Sequence, residues 1–130
     1  MGMLTESVPF EGGAAIPARN AAAFVHRLSE AAGVPDRLLA AAALMPEAQL
    51  NRLASGRGGP VRPSTLLPLK RVAMLVEEAH ETLAPQGARA WLVAPNPYLH
   101  NVAPVLCVRS DKELERARAV LAAIRHGCPA

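Results

Sequence analysis

The sequence predicts an all-α fold on three observations. Hydrophobic residues fill 51% of the 130 positions but aromatic ones only 3%, and the apolar content is mostly Ala, Leu and Val, which suits closely crossing helices better than a sheet. Apolar side chains recur at helical spacing in stretches punctuated by Pro and Gly. The last third carries a full set of helix signals: Ser110-Asp111-Lys112-Glu113 reads as a capping box, and Gly127 with Pro129 as a stop. A chain of this length makes one domain or two very small ones and is short for an enzyme with a deep cleft.

Met1 to Arg19 holds Pro9, Gly12, Gly13 and Pro17 without a helical period and reads as a flexible arm, with Val8 and Phe10 able to dock. Asn20 is expected to cap a first helix with Phe24, Val25, Leu28 and Ala32 on its apolar face, ended by Gly33. Pro35 restarts the chain. A second helix to about Ala43 carries Leu38, Leu39 and a run of Ala, Leu44-Met45-Pro46 makes a turn, and a third helix runs to Ser55-Gly56. In that helix Leu50 and Leu53 face inward and Gln49, Asn51 and Arg52 outward.

Such a pair of short helices is a helix-turn-helix candidate for DNA. Gln49 and Asn51 can bond adenine edges, Arg52 guanine or phosphate, and Arg57 in the next loop phosphate. The motif is degenerate, because its turn lacks Gly and Pro46-Glu47 opens the second helix. Charge points to the same region: Arg37, Arg52, Arg57, Arg62, Lys70 and Arg71 stand against Glu47 alone, whereas charges balance from Glu77 onward.

Ser55 to Pro63 reads as a flexible basic loop. Ser64 is expected to cap the longest helix, to about Leu83, with a stripe of Val72, Val76, Ala79 and Leu83, Pro68 in its first turns, and Glu77, Glu78 and Glu81 as a solvated acidic face. After a break at Pro85-Gln86-Gly87, Trp91 is expected to centre the core of the C-terminal part. Asn96-Pro97 pairs a good N-cap with a residue preset for the first helical position, and Ala103-Pro104 repeats the device. The last helix presents Leu114, Ala117, Leu121 and Ile124 on one face, with Arg125 and His126 complementing its negative end.

No phosphate-cradling glycine loop, nucleophile elbow or Cys/His metal cluster occurs. His26, His80, His100 and His126 are scattered and read as surface or capping residues, and Cys107 as a small core residue. No apolar run reaches membrane-spanning length and no secretory leader pattern opens the chain. The expectation is a cytoplasmic protein, not an enzyme, without cofactor or metal, that works by binding a partner.

Ala90-Trp91-Leu92, Pro95-Asn96 with Leu99 three residues on, Pro104, and the final Ile124-Arg125-His126-Gly127 resemble the toxin-binding domain of Xre/ParS-class antitoxins, which pair with RES-domain toxins. The resemblance covers roughly the last third of the chain. It implies an N-terminal arm over residues 1–19, a degenerate Xre-like helix-turn-helix bundle for DNA binding and dimerisation over 20–84, and a small helical toxin-binding domain over 85–130. Trp91, Leu92, Asn96, Leu99, Pro104, Leu121 and Ile124 would form the core of that domain. The family's toxins consume NAD, and the resemblance implies occlusion of the toxin's active site by the chain end, Arg125, His126, Gly127, Cys128, Pro129 and Ala130. A homodimer that also binds operator DNA is implied as well. The alternative is a free-standing helix-turn-helix regulator without a toxin partner, and a neighbouring gene for a RES-domain protein separates the two.

Overall fold

Proline sets the beginnings of the elements. In the computed structural model, which describes Leu4 and residues 13–127, the helices are α1 Ala18–Ala32, α2 Asp36–Ala42, α3 Glu47–Ser55, α4 Pro63–Thr82, α5 Pro85–Val93 and α6 Asp111–Arg125, with 3₁₀ turns at Pro97–Leu99 and Pro104–Leu106. Pro17, Pro35 and Pro46 stand immediately before α1, α2 and α3. Pro63, Pro85, Pro97 and Pro104 open α4, α5 and the 3₁₀ turns. In these places the missing N–H would have no helical partner anyway, and the fixed φ favours helix entry. Two expected caps are corrected accordingly. Asn20 lies inside the first turn of α1, its N–H bonded to the Pro17 carbonyl at 2.9 Å, and Ser64 lies inside α4 behind Pro63. Pro85-Gln86-Gly87 is the first turn of α5 rather than a break before it.

The described residues contain no strand, and the fold is all-α. Two isolated antiparallel bridges tie loops together, Ile16 to Val61 and Asn96 to Val102. Ile16 and Val61 exchange both backbone hydrogen bonds at 2.7 Å, and Ile16 is fully buried. This corrects the reading of residues 13–19 as part of a flexible arm, and it ties the loop expected between α3 and α4 down at Val61. Leu4 is also buried, its N–H donating to the Glu77 carboxylate, whereas Val8 and Phe10 lie outside the described residues.

The centre of the molecule is α4. Leu66, Leu69, Val72, Ala73, Leu75, Val76 and Ala79 are all buried, far more than the single expected stripe, because α1, α5 and α6 pack around it. Each buried Val or Leu contributes about 1.5–3 kcal/mol relative to exposure. Pro68 sits in the second turn, where α4 runs on through it. One apolar core takes side chains from both sides of residues 84 and 85: Phe24, Leu28, Leu39 and Leu50 join Leu92, Leu99, Val105 and Leu121. Trp91 is not its centre, since the indole is only half-buried at the core's edge while Ala88 and Leu92 fill the interior position on α5. On α6 the buried face is Leu114, Ala117, Val120 and Leu121, with Ile124 half-buried.

Polar groups fasten this arrangement. Gly33, at φ 66°, ends α1 in the left-handed conformation, and its N–H donates to the Ser29 carbonyl at 3.0 Å. The two following carbonyls receive side chains from elsewhere: Arg89 Nη2 donates to Glu30 at 2.9 Å, and the His80 ring N–H to Ala31 at 2.7 Å. His26 does the same for Ala54 of α3 at 2.8 Å, so both histidines act as caps.

Candidate functional site

Three exposed features carry the residues put forward by the sequence. The first is the pair α2 and α3. Met45 N–H reaches back to the Ala40 carbonyl at 3.0 Å and Leu44 N–H to Ala41 at 3.1 Å, the bond pattern of a Schellman helix end. Its left-handed position, usually glycine, is occupied by Leu44 at φ 56°. The glycine missing from the turn is therefore replaced by a strained leucine, which stands 62% exposed. Asn51, Arg52 and Arg57 are exposed as expected, but Gln49 is half-buried, which corrects its outward placement. Ser55 ties the loop that follows: its hydroxyl donates to the Arg52 carbonyl at 2.6 Å and accepts from Arg57 N–H at 3.2 Å.

The second feature is the end of α6. Ser110 caps the helix by accepting the Glu113 N–H at 3.2 Å, but the box closes one residue early, because the Glu113 carboxylate accepts the Arg109 N–H at 2.9 Å as well as the Arg109 guanidinium. The helix ends at Arg125, and Gly127 turns the chain at φ 83°. Arg125 Nη2 donates to the Thr82 hydroxyl at 2.8 Å, so this candidate contact residue is also anchored to α4. His126 and Gly127 are exposed, and Cys128, Pro129 and Ala130 lie outside the described residues. The acidic end of α4 is not simply solvated as expected, since Glu78 is half-buried and paired with Arg118 at 2.9 Å.

The third feature lies between α5 and α6 and is built on Asn96, which is only 5% exposed. Its Oδ1 accepts the Tyr98 N–H at 2.9 Å, its carbonyl accepts Leu99 and Asn101 N–H at 2.9 and 2.8 Å, and its own N–H donates to Val102 at 3.2 Å. The expected cap is thus the hub of a loop. His100 and Asn101 both take left-handed φ, 58° and 61°, and Val102 N–H closes the turn on the Leu99 carbonyl at 3.1 Å. Leu99 and Pro104 point inward, whereas Tyr98 and Val102 stand out at 57% and 39% exposure.

This loop, the α2–α3 turn and the first turns of α6 enclose an apolar hollow of about 430 Å³, lined by Leu44, Leu99, Val102 and Leu106 with Arg109 and Arg116 beside them. Cys107, half-buried against the edge of the core, also lines it. Burial, and after it the Glu113 carboxylate, push the Cys107 thiol above its ordinary range, so it is not an activated nucleophile. The hydrogen bond from Arg109 holds Glu113 below the usual carboxylate range. Neither the left-handed Leu44 nor the meeting of its turn with the loop before α6 is signalled by local sequence.

The class defined by these features is a small all-α chain with a capped helix pair and a loop-built apolar face. The same fold occurs in a chain of the crystal structure of the M. tuberculosis MbcT–MbcA toxin–antitoxin complex, with a TM-score of 0.65 and 23% sequence identity over 84% of this chain and 96% of that one. No protein-family model and no curated protein matches the sequence.

Proposed function

We propose that this chain is the antitoxin of a type II toxin–antitoxin pair, that it neutralises a RES-domain, NAD-consuming toxin by occluding its active site, and that as a homodimer it also binds its operator DNA. The observation that carries this reading is the fold shared with a chain of a toxin–antitoxin complex along 84% of the sequence. The residues from Ala90 to Gly127 that resemble Xre/ParS antitoxins support the same reading from a separate direction. Among the described residues no three His, Cys, Asp or Glu are grouped to hold a metal, and His26 and His80 are engaged with backbone carbonyls. We read the chain as a non-enzymatic, cytoplasmic protein without cofactor; no helix among the described residues is long and apolar enough to cross a membrane.

The occluding element in this proposal is the chain end. Arg125 and His126 sit where α6 stops, Gly127 redirects the backbone, and the residues that follow are small, which suits entry into a narrow pocket. Among the described residues, deleting Arg125 to Ala130 removes the Arg125–Thr82 hydrogen bond and the backbone bonds of His126 and Gly127, but none of the buried side chains of α6. The truncated chain is expected to fold and to bind the toxin, yet to lose protection, measured as cellular NAD and growth on co-expression with a RES-domain toxin. Full protection by the truncated chain overturns the occlusion mechanism. A wild-type chain that forms no complex with that protein, but binds DNA with sequence specificity and steep salt dependence, is instead a free-standing regulator.

A further inference from the structure

The hollow beside Leu44 lies apart from the chain end. It opens beside Glu113 and Arg116 in the first turns of α6, and Arg116 lies about 14 Å along the helix axis from Arg125 at a rise of about 1.5 Å per residue. Leu44 is held in the left-handed conformation, which is strained for a non-glycine residue, and it exposes 62% of its surface. Val102, also exposed, stands on a loop that four hydrogen bonds to Asn96 fix in advance. A strained, exposed leucine facing a pre-set apolar wall suits a binding surface better than solvent.

The charges beside it define the occupant. Glu113 accepts from the Arg109 backbone and guanidinium and feels the charge of Arg116, whereas the exposed Arg116 guanidinium makes no hydrogen bond among the described residues. The rim therefore offers positive charge next to an apolar floor, which is complementary to an apolar side chain followed by a carboxylate.

We propose that this hollow receives an apolar side chain of the toxin, flanked by an Asp or Glu that pairs with Arg116, so that the toxin grips the α2–α3 turn and the loop before α6 together. This rests on the toxin-partner reading above.

The test uses the full chain and a purified RES-domain toxin, with Leu44→Gly and Arg116→Glu as variants. Leu44→Gly relieves the left-handed strain and is expected to keep or raise the melting temperature while weakening toxin binding tenfold or more by calorimetry. Arg116→Glu is expected to leave melting unchanged and also to weaken binding at least tenfold. Wild-type affinity in either variant overturns the docking site and leaves the antitoxin reading intact. Failure of the unsubstituted chain to bind the toxin overturns both.

Discussion

Arg118 on α6 and Glu78 on α4 meet at 2.9 Å, and the 40-residue offset between them is shared by Arg71 and Asp111 and nearly shared by Thr82 and Arg125, which are 43 apart. A constant offset between two helices means that they run side by side in the same direction, so these contacts form a ladder along the seam. The hydrogen bond to Glu78 raises the Arg118 pKa, in keeping with a pair partly shielded from water. Arg118→Met and Glu78→Gln are each expected to cost about 1 kcal/mol, and the double variant less than the sum, because either change removes the same ion pair. Urea unfolding of the three variants measures it. Full additivity shows the pair to be uncoupled.

Gly33→Ala is expected to destabilise by about 2 kcal/mol. Position 33 has φ 66°, and an added Cβ falls 2.8 Å from Arg89 Cδ, which has to move and release the Glu30 carbonyl it caps. Thermal unfolding checks this, and Gly33→Ala combined with Arg89→Ala separates the causes: the combination recovers the clash but not the backbone strain. A melting temperature equal to that of the parent means that neither contributes.

The Glu113 carboxylate makes stability depend on acid. Its pKa in the folded chain lies below the ordinary 4.5, chiefly through the Arg109 hydrogen bond, so the folded state holds this proton less readily than the unfolded one. The resulting stabilisation is complete above pH 4.5 and fades as pH falls through the depressed value. Glu113→Gln is expected to melt earlier than the parent at pH 7, with the gap closing on acidification below pH 4.5. A gap that is constant with pH shows that the ion pair is not its source.

What was legible in the sequence was local. Gly33, Gly56, Asn96, Ser110 and Gly127 end or start elements where their backbone preferences place them. Asn20 and Ser64 misled because Pro17, three positions before the one, and Pro63, immediately before the other, had already set the helix start. Trp91 misled because size and rarity do not tell which face of a short helix turns inward, and Ala88 and Leu92 take that face. The candidate contact surface was the least legible part. Leu44 looks like an ordinary turn residue until its φ is known, and the Arg118–Glu78 and Leu44–Val102 relationships depend on packing between distant segments.

A last prediction concerns α3 and DNA. Asn51 and Arg52 are exposed on the second helix of the capped pair, Arg57 follows at its end, and no buried side chain depends on them, so they can be changed without loss of fold. Gln49 is half-buried and is left in place to keep stability out of the comparison. If α3 reads bases, Asn51→Ala with Arg52→Ala abolishes specific promoter binding in a gel shift, since a bidentate contact of this kind discriminates by about 1–3 kcal/mol per base. Arg57→Ala alone weakens binding to all sequences alike and lowers the salt slope by about 1, as loss of a single phosphate contact does. Toxin neutralisation by the double variant is expected to stay at the parent level, because α3 carries none of the residues at the end of α6. Promoter binding at unchanged specificity places the DNA-reading surface elsewhere, with Arg62, Lys70 and Arg71 the next side chains to replace.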